Sequence, residues 1–215
     1  MSHSFRRLVL AAALTAAMTG AMTGAARAEP ITIVALGDSL TAGYQLPPGT
    51  GFPAQLEKAL QAEGLDVKVL DAGVSGDTTS AGLSRLDWSV GPEADAVIVE
   101  LGANDALRGL DPADARANLE AILDRLDERG LPVLLAGMLA PPNLGEEYGK
   151  AFAGVFQDLA TRDVVFYPFF LDGVAADPSL NLGDGIHPTV EGVAVIVERI
   201  LPKVRELVGR VQKAG

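Results

Sequence analysis

The chain reads as one α/β domain, a layered sandwich of helices on a parallel sheet, and three features predict it. Five short apolar runs rich in β-branched residues lack strict alternation, as strands buried on both faces do. Helix-period segments fill the intervals between them, so strand and helix alternate along the chain with right-handed crossovers. The 215 residues, 48% of them hydrophobic, suffice for one compact core and show no linker that would divide it.

In order, the first run is 31–36 (Ile-Thr-Ile-Val-Ala-Leu), followed by a helical segment near 52–63. The second run, 67–70, precedes a segment near 79–89, and the third, 96–101, precedes the clearest helix, near 112–129. There Leu119, Ile122, Leu123 and Leu126 recur at helical spacing while Arg116, Glu120, Asp124, Asp127 and Glu128 occupy the other face. Gly130-Leu131-Pro132 ends it. The fourth run is 132–137, with a helix near 146–161; the fifth is 164–166, with a last helix near 189–209. Residues 167–187 form the longest stretch without a clear element, and loops of that length are often functional.

Residues 1–28 read as a signal peptide to be removed, which leaves a domain at 29–215. Arg6 and Arg7 precede an apolar stretch, and Ala26-Arg27-Ala28 offers a small-x-small cleavage site. Thr15, Thr19, Gly20, Thr23 and Gly24 interrupt the stretch too often for a stable membrane span, so no membrane anchor is expected. Loss of three arginines takes the formal charge from −11 to −14, which repels nucleic acid and anionic membranes. Cysteine is absent, which excludes disulfides, thiolate metal sites and a lipid-bearing cysteine at the cleavage point. The expected location is the periplasm, with release to the medium as the alternative, and a monomer is the expected state.

Ligands of open parallel sheets bind at the carboxyl ends of the strands, so the loops that follow the runs are where chemistry is sought. They read Gly37-Asp38-Ser39-Leu40, Asp71 to Asp77, Gly102-Ala103-Asn104-Asp105 and, in the long loop, Gly183 to Pro188. Only two histidines occur, and His3 leaves with the signal peptide, so any imidazole base of the mature protein is His187. A serine hydroxyl becomes nucleophilic when such a base takes its proton and a third group fixes the base's tautomer. Ser39 is the candidate nucleophile and Asp184, three residues before His187, the candidate orienter. Backbone N–H groups of Ser39 and Gly76 with the Asn104 amide are the natural oxyanion donors.

Each piece has an ordinary alternative. Ser39, Asp105 or Asp111 would serve as a helix cap, Gly73 and Gly76 as turn residues, and His187-Pro188 as a helix start. Their joint order after strands and before helices weighs against four separate coincidences.

These residues resemble the SGNH, or GDSL, hydrolase family. Its four marker residues correspond to Ser39 in Gly-Asp-Ser-Leu, Gly76 in Val-Ser-Gly-Asp, Asn104 in Gly-Ala-Asn-Asp and His187 in Asp-Gly-Ile-His-Pro, and the similarity spans 31 to about 207. Long blocks such as Gly-Asp-Ser-Leu-Thr-Ala-Gly-Tyr are most similar to bacterial periplasmic arylesterases and the multifunctional acyl-CoA thioesterase/lysophospholipase group. The resemblance implies a three-layer α/β/α sandwich with five parallel strands in flavodoxin-like order and Ser39 on a short helical turn. It implies a serine esterase acting on aryl or short to medium acyl esters, acyl thioesters or lysophospholipids, with no metal or organic cofactor. Asp38 is then a residue that holds the loop and not the triad acid.

For the acyl groove, the segment after the asparagine offers Leu107 and Leu110, and the segment after the fourth strand offers Leu139, Pro141, Pro142 and Leu144; ordinary packing is the competing reading of the leucines. Arg108 would meet a phosphate or have no specific role. A carbohydrate acetylesterase is the nearest enzymatic alternative. A non-catalytic periplasmic ligand-binding relative is the alternative of a different class.

Overall fold

The computed structural model describes residues 29–214. The predicted signal peptide, 1–28, lies outside the described residues.

Five parallel strands form one sheet: β1 (Ile31–Gly37), β2 (Val67–Gly73), β3 (Ala96–Glu100), β4 (Val133–Ala136) and β5 (Val165–Tyr167), in the order β2-β1-β3-β4-β5. This is the flavodoxin-like order that the family resemblance implied. Register runs Ile33 against Val69 on one side and against Ala96 on the other. All five residues of β3 and all four of β4 are buried, which is why their sequences lack alternation.

Among the described residues eight helices accompany the strands: α1 (Ser39–Ala42), α2 (Phe52–Ala62), α3 (Thr79–Ser84), α4 (Leu86–Ser89), α5 (Ala103–Leu107), α6 (Pro112–Glu128), α7 (Glu146–Leu159) and, after the last strand, α8 (Val190–Ala214). Helices α2 and α8 pack together on one face, while α3 and α7 flank α6 on the other. Leu119, Ile122 and Leu126 of α6 are fully buried and Leu123 nearly so, as their spacing predicts. Asp111 caps α6 by accepting the Ala113 N–H at 2.9 Å, with Pro112 in the first turn.

Several elements differ from expectation. The segment near 79–89 is two short helices, because Arg85 leaves helical geometry (φ −108°, ψ 5°) to turn its guanidinium toward the strand ends. The last helix continues through Pro202 to Ala214, since Ile200, Val204, Leu207 and Val208 keep its apolar face buried. The short helix α5 and a single 3-10 turn at Pro142–Leu144 carry too few residues for a periodicity to show, while α1 is the short helical turn that the resemblance implied for Ser39.

In this strand order the chain proceeds from β1 to β2 on one side, then to β3 on the other. The loops after β1 and β3 therefore diverge and open a crevice between them at the carboxyl edge. Ser39 opens α1 directly after β1, and Asn104 lies in α5 directly after β3.

Candidate active site

Ser39 is held by the turn that leaves β1. Asp38 is the cap of α1, with its Oδ1 accepting the Leu40 N–H at 2.9 Å, so the cap expected of Ser39 belongs to its neighbour. That frees the Ser39 side chain, 148 residues distant in sequence from His187, to meet the imidazole: Oγ lies 2.9 Å from Nε2.

His187 is fixed from its own loop. Asp184 Oδ2 lies 2.6 Å from His187 Nδ1, while Asp184 Oδ1 accepts the backbone N–H groups of Ile186 at 2.9 Å and His187 at 3.0 Å. An ionised carboxylate only accepts, so Nδ1 carries the proton and Nε2 presents its lone pair to the Ser39 hydroxyl. The N–H groups of His187 and Ile186, and then the imidazole, pull the Asp184 carboxyl down to about 2. Tyr44 closes the other side, its ring centroid 4.4 Å from that of His187. Thr189 Oγ1 accepts the Gly192 N–H at 3.1 Å and caps α8, so His187-Pro188 immediately precede the helix without starting it.

Of the predicted oxyanion donors, Asn104 is tied to the Ser39 turn through Asp38. No protein acceptor takes the N–H of Ser39 or of Gly76 among the described residues. Gly76 has φ +89°, a left-handed conformation in which a side chain is strained, and this geometry accounts for glycine there. Asn104 Nδ2 donates to Asp77 O at 3.0 Å and to Asp38 Oδ2 at 3.2 Å, so both of its hydrogens rest on protein acceptors in this state.

Arg85 and Glu100, which the sequence did not single out, and Asp105 and Arg108, which it read otherwise, build this frame. Arg85 donates to Gly37 O and Ala72 O, both at 2.9 Å, and to Asp77 Oδ2 at 2.6 Å, tying the ends of β1 and β2 to the Gly76 loop. Asp105 accepts from Thr79 N at 2.8 Å and Thr79 Oγ1 at 2.6 Å, joining the asparagine loop to α3 instead of capping a helix. Arg108 donates to Gly76 O at 2.7 Å, a specific role in place of the isolated surface arginine. An acid inside the apolar run 96–101 was the available signal for Glu100, the last residue of β3.

Asp38 is fully buried, and burial raises its carboxyl to about 6 against the bonds from Leu40 and Asn104. A raised carboxyl binds its proton more tightly in the folded state, so this contribution to stability is present below the unfolded value of 3.8 and is lost as pH rises through about 6. Asp38→Asn is therefore expected to gain stability relative to the wild type between pH 4 and 7, by roughly 2–3 kcal/mol. Urea unfolding of both proteins at the two pH values checks this; a constant difference contradicts it.

The residues expected to shape the acyl groove lie in different surroundings. Leu107, Leu110 and Leu139 are 46%, 39% and 48% exposed, which removes ordinary core packing as their explanation. Tyr148 Oη donates to Leu110 O at 2.7 Å, so α7 touches the end of the asparagine segment. However, the groove of about 430 Å³ beside the 3-10 turn is lined by Ala140, Pro141, Pro142 and residues of α7, and none of Leu107, Leu110, Leu139 or Leu144 lines it. Leu144 is half-buried, and Met138, the first residue of that segment, turns into the core.

Residues 35–195 match the model of the GDSL-like Lipase/Acylhydrolase family. The chain belongs to that family. Among curated members it is 39% identical to an arylesterase from Vibrio mimicus, over 77% of this chain and 84% of that protein. It is 35% identical to Thioesterase 1/protease 1/lysophospholipase L1 from Escherichia coli (strain K12), over 82% and 85%. Its fold superimposes on the crystal structure of AlinE4, a SGNH-hydrolase family esterase, with TM-score 0.71 and 47% identity, covering 83% of this chain and 96% of that one.

Proposed function

We propose that this family member is a serine esterase that cleaves aryl and short to medium acyl esters, and acyl thioesters or lysophospholipids, through an acyl-enzyme on Ser39. One observation carries the reading: a serine hydroxyl 2.9 Å from an imidazole whose other nitrogen is 2.6 Å from a carboxylate. The names of the family relatives, arylesterase and thioesterase/lysophospholipase, support the substrate classes.

In the acylation step Ser39 Oγ attacks the acyl carbonyl carbon while its proton passes to His187 Nε2. Asp184 keeps the imidazole in the receiving tautomer and stabilises the imidazolium that forms. The N–H groups of Ser39 and Gly76 receive the oxyanion, and Asn104 joins them by exchanging its 3.2 Å bond to Asp38 for a bond to the developing charge. Collapse of the tetrahedral species expels the alcohol or thiol, which takes the proton from Nε2. Water then attacks the acyl-enzyme with His187 again as base, releasing the acid and restoring Ser39.

The exposed Leu107, Leu110 and Leu139 offer apolar contact for an acyl or aryl group, and export to the periplasm, supported by the sequence of residues 1–28, with a monomeric state completes the proposal. No helix among the described residues is long and apolar enough to cross a membrane.

A panel of nitrophenyl esters of increasing chain length, run beside acyl-CoA and acetylated xylan, tests the substrate class. Hydrolysis of the nitrophenyl esters with little release from xylan is the expected result; turnover of xylan acetate alone would move the assignment to a carbohydrate esterase. Within the same panel, Asn104→Ala is expected to lower kcat by about 10²–10³. An unchanged kcat would remove Asn104 from the oxyanion site.

A further inference from the structure

Behind the Ser39 turn lies a carboxyl group for which the reaction has no direct use. Glu100 ends β3, four residues before Asn104, and is fully buried. Its Oε2 accepts the Thr41 hydroxyl at 2.8 Å and faces the Asp38 N–H at 3.4 Å, while Oε1 has no partner among the described residues. The strand ends in glycine at the same point: a Cβ on Gly37 would stand 2.0 Å from Thr41 Oγ1 and 2.7 Å from Glu100 Oε2. The backbone has thus given up a side chain to let this pair pack against it, which a glutamate merely filling space would not require.

We propose that Glu100 is a positioning residue of the esterase reaction, whose carboxyl fastens the Ser39 turn to the end of β3 and so sets the nucleophile's place relative to the Asn104 loop. This rests on the serine esterase reading. The link is direct at both ends: Thr41 and Asp38 flank Ser39 and Leu40 in α1, and Glu100 shares its strand end with Gly102 and Asn104. Asp38 in turn holds the Asn104 amide at 3.2 Å, so one buried acid supports two parts of the site.

The group does this as a neutral acid. Burial first, and then the neighbouring Asp38 carboxyl, push Glu100 well above the usual carboxylate range. Two buried like charges cannot both ionise cheaply, and a neutral Glu100 leaves the charge to Asp38, where burial opposes it and the bonds from Leu40 and Asn104 offset part of that cost. A neutral acid has a neutral isostere, which makes the idea testable with little disturbance of packing.

The experiment compares the full-length wild type with Glu100→Gln, Glu100→Ala and Thr41→Val in nitrophenyl ester hydrolysis. Active-site concentration is fixed by the burst of nitrophenol and folding is checked by circular dichroism. The wild-type arm stands alone: no hydrolysis there refutes the esterase reading and says nothing of Glu100. Given an active wild type, Glu100→Gln is expected to keep kcat within about threefold and to leave the pH profile of kcat/KM unchanged. Glu100→Ala and Thr41→Val are expected to lower kcat about 10- to 100-fold at unchanged KM, as a nucleophile displaced by up to an ångström would. Wild-type kcat in folded Glu100→Ala or Thr41→Val overturns the proposal. So does a Glu100→Gln protein as impaired as Glu100→Ala, or one whose acid limb has shifted, because either outcome would mean that an ionised Glu100 is what the site uses.

Discussion

Replacing Ser39 or His187 by alanine is expected to lower kcat by about 10⁶, the largest loss any single substitution in this chain should produce. The magnitude follows from the two groups acting as one unit. Without Nε2 at 2.9 Å, the Ser39 proton has no acceptor as the new bond forms. Residues 29–215 hold no second histidine to replace it. The double variant should therefore be little worse than either single one, with the residual rate owed to the oxyanion donors and to substrate binding. Steady-state kinetics on a nitrophenyl ester checks this. Losses in the two single variants that multiply in the double would show that Ser39 and His187 act separately.

Asp184→Asn is expected to cost about 10⁴ in kcat while leaving the loop folded. Asn Oδ1 can still accept the N–H groups of Ile186 and His187, which Asp184 Oδ1 accepts at 2.9 and 3.0 Å. The Nδ2 group that replaces Oδ2 donates to His187 Nδ1, so the imidazole proton moves to Nε2 and meets the Ser39 hydroxyl with a hydrogen in place of a lone pair. With its carboxyl lowered to about 2, Asp184 stays charged across the working range. Its contribution to the loop is present above the unfolded value of 3.8 and fades only as pH falls through about 2. Unfolding temperature and kcat measured together separate the two effects. A large drop in stability would show that the carboxylate holds the loop rather than the tautomer.

Much of this architecture is legible in the residues because the sheet is buried on both faces. A run such as Ala96 to Leu101 leaves little choice but an internal strand, and the leucines of α6 fall at a spacing that no strand accommodates. The strand order was implied by resemblance and not by pattern, since periodicity does not record which strand lies beside which. His187 was found by elimination, as the one imidazole outside the expected signal peptide. What sequence could not show is the frame around these residues. Arg85 bonds the ends of two strands and the Gly76 loop, yet in the chain it is one cation in a helical segment. Thr79 and Asp105 meet only after β2 and β3 have been placed on opposite sides of β1. Tyr44 reaches His187 because Gly43 ends α1 in a left-handed turn, a geometry that follows from the fold and not from composition. The acyl groove was the least legible feature, because exposed leucines are defined by what fails to cover them.

The central claim is that Ser39 is an activated nucleophile, and covalent trapping tests it without any assumption about substrate. The wild type, Ser39→Ala and His187→Ala are incubated with a fluorophosphonate and the adduct is located by peptide mass spectrometry. A single adduct on Ser39 in the wild type, absent in Ser39→Ala and formed far more slowly in His187→Ala, is the predicted result. An adduct on another residue, or labelling of Ser39→Ala equal to that of the wild type, would contradict the account.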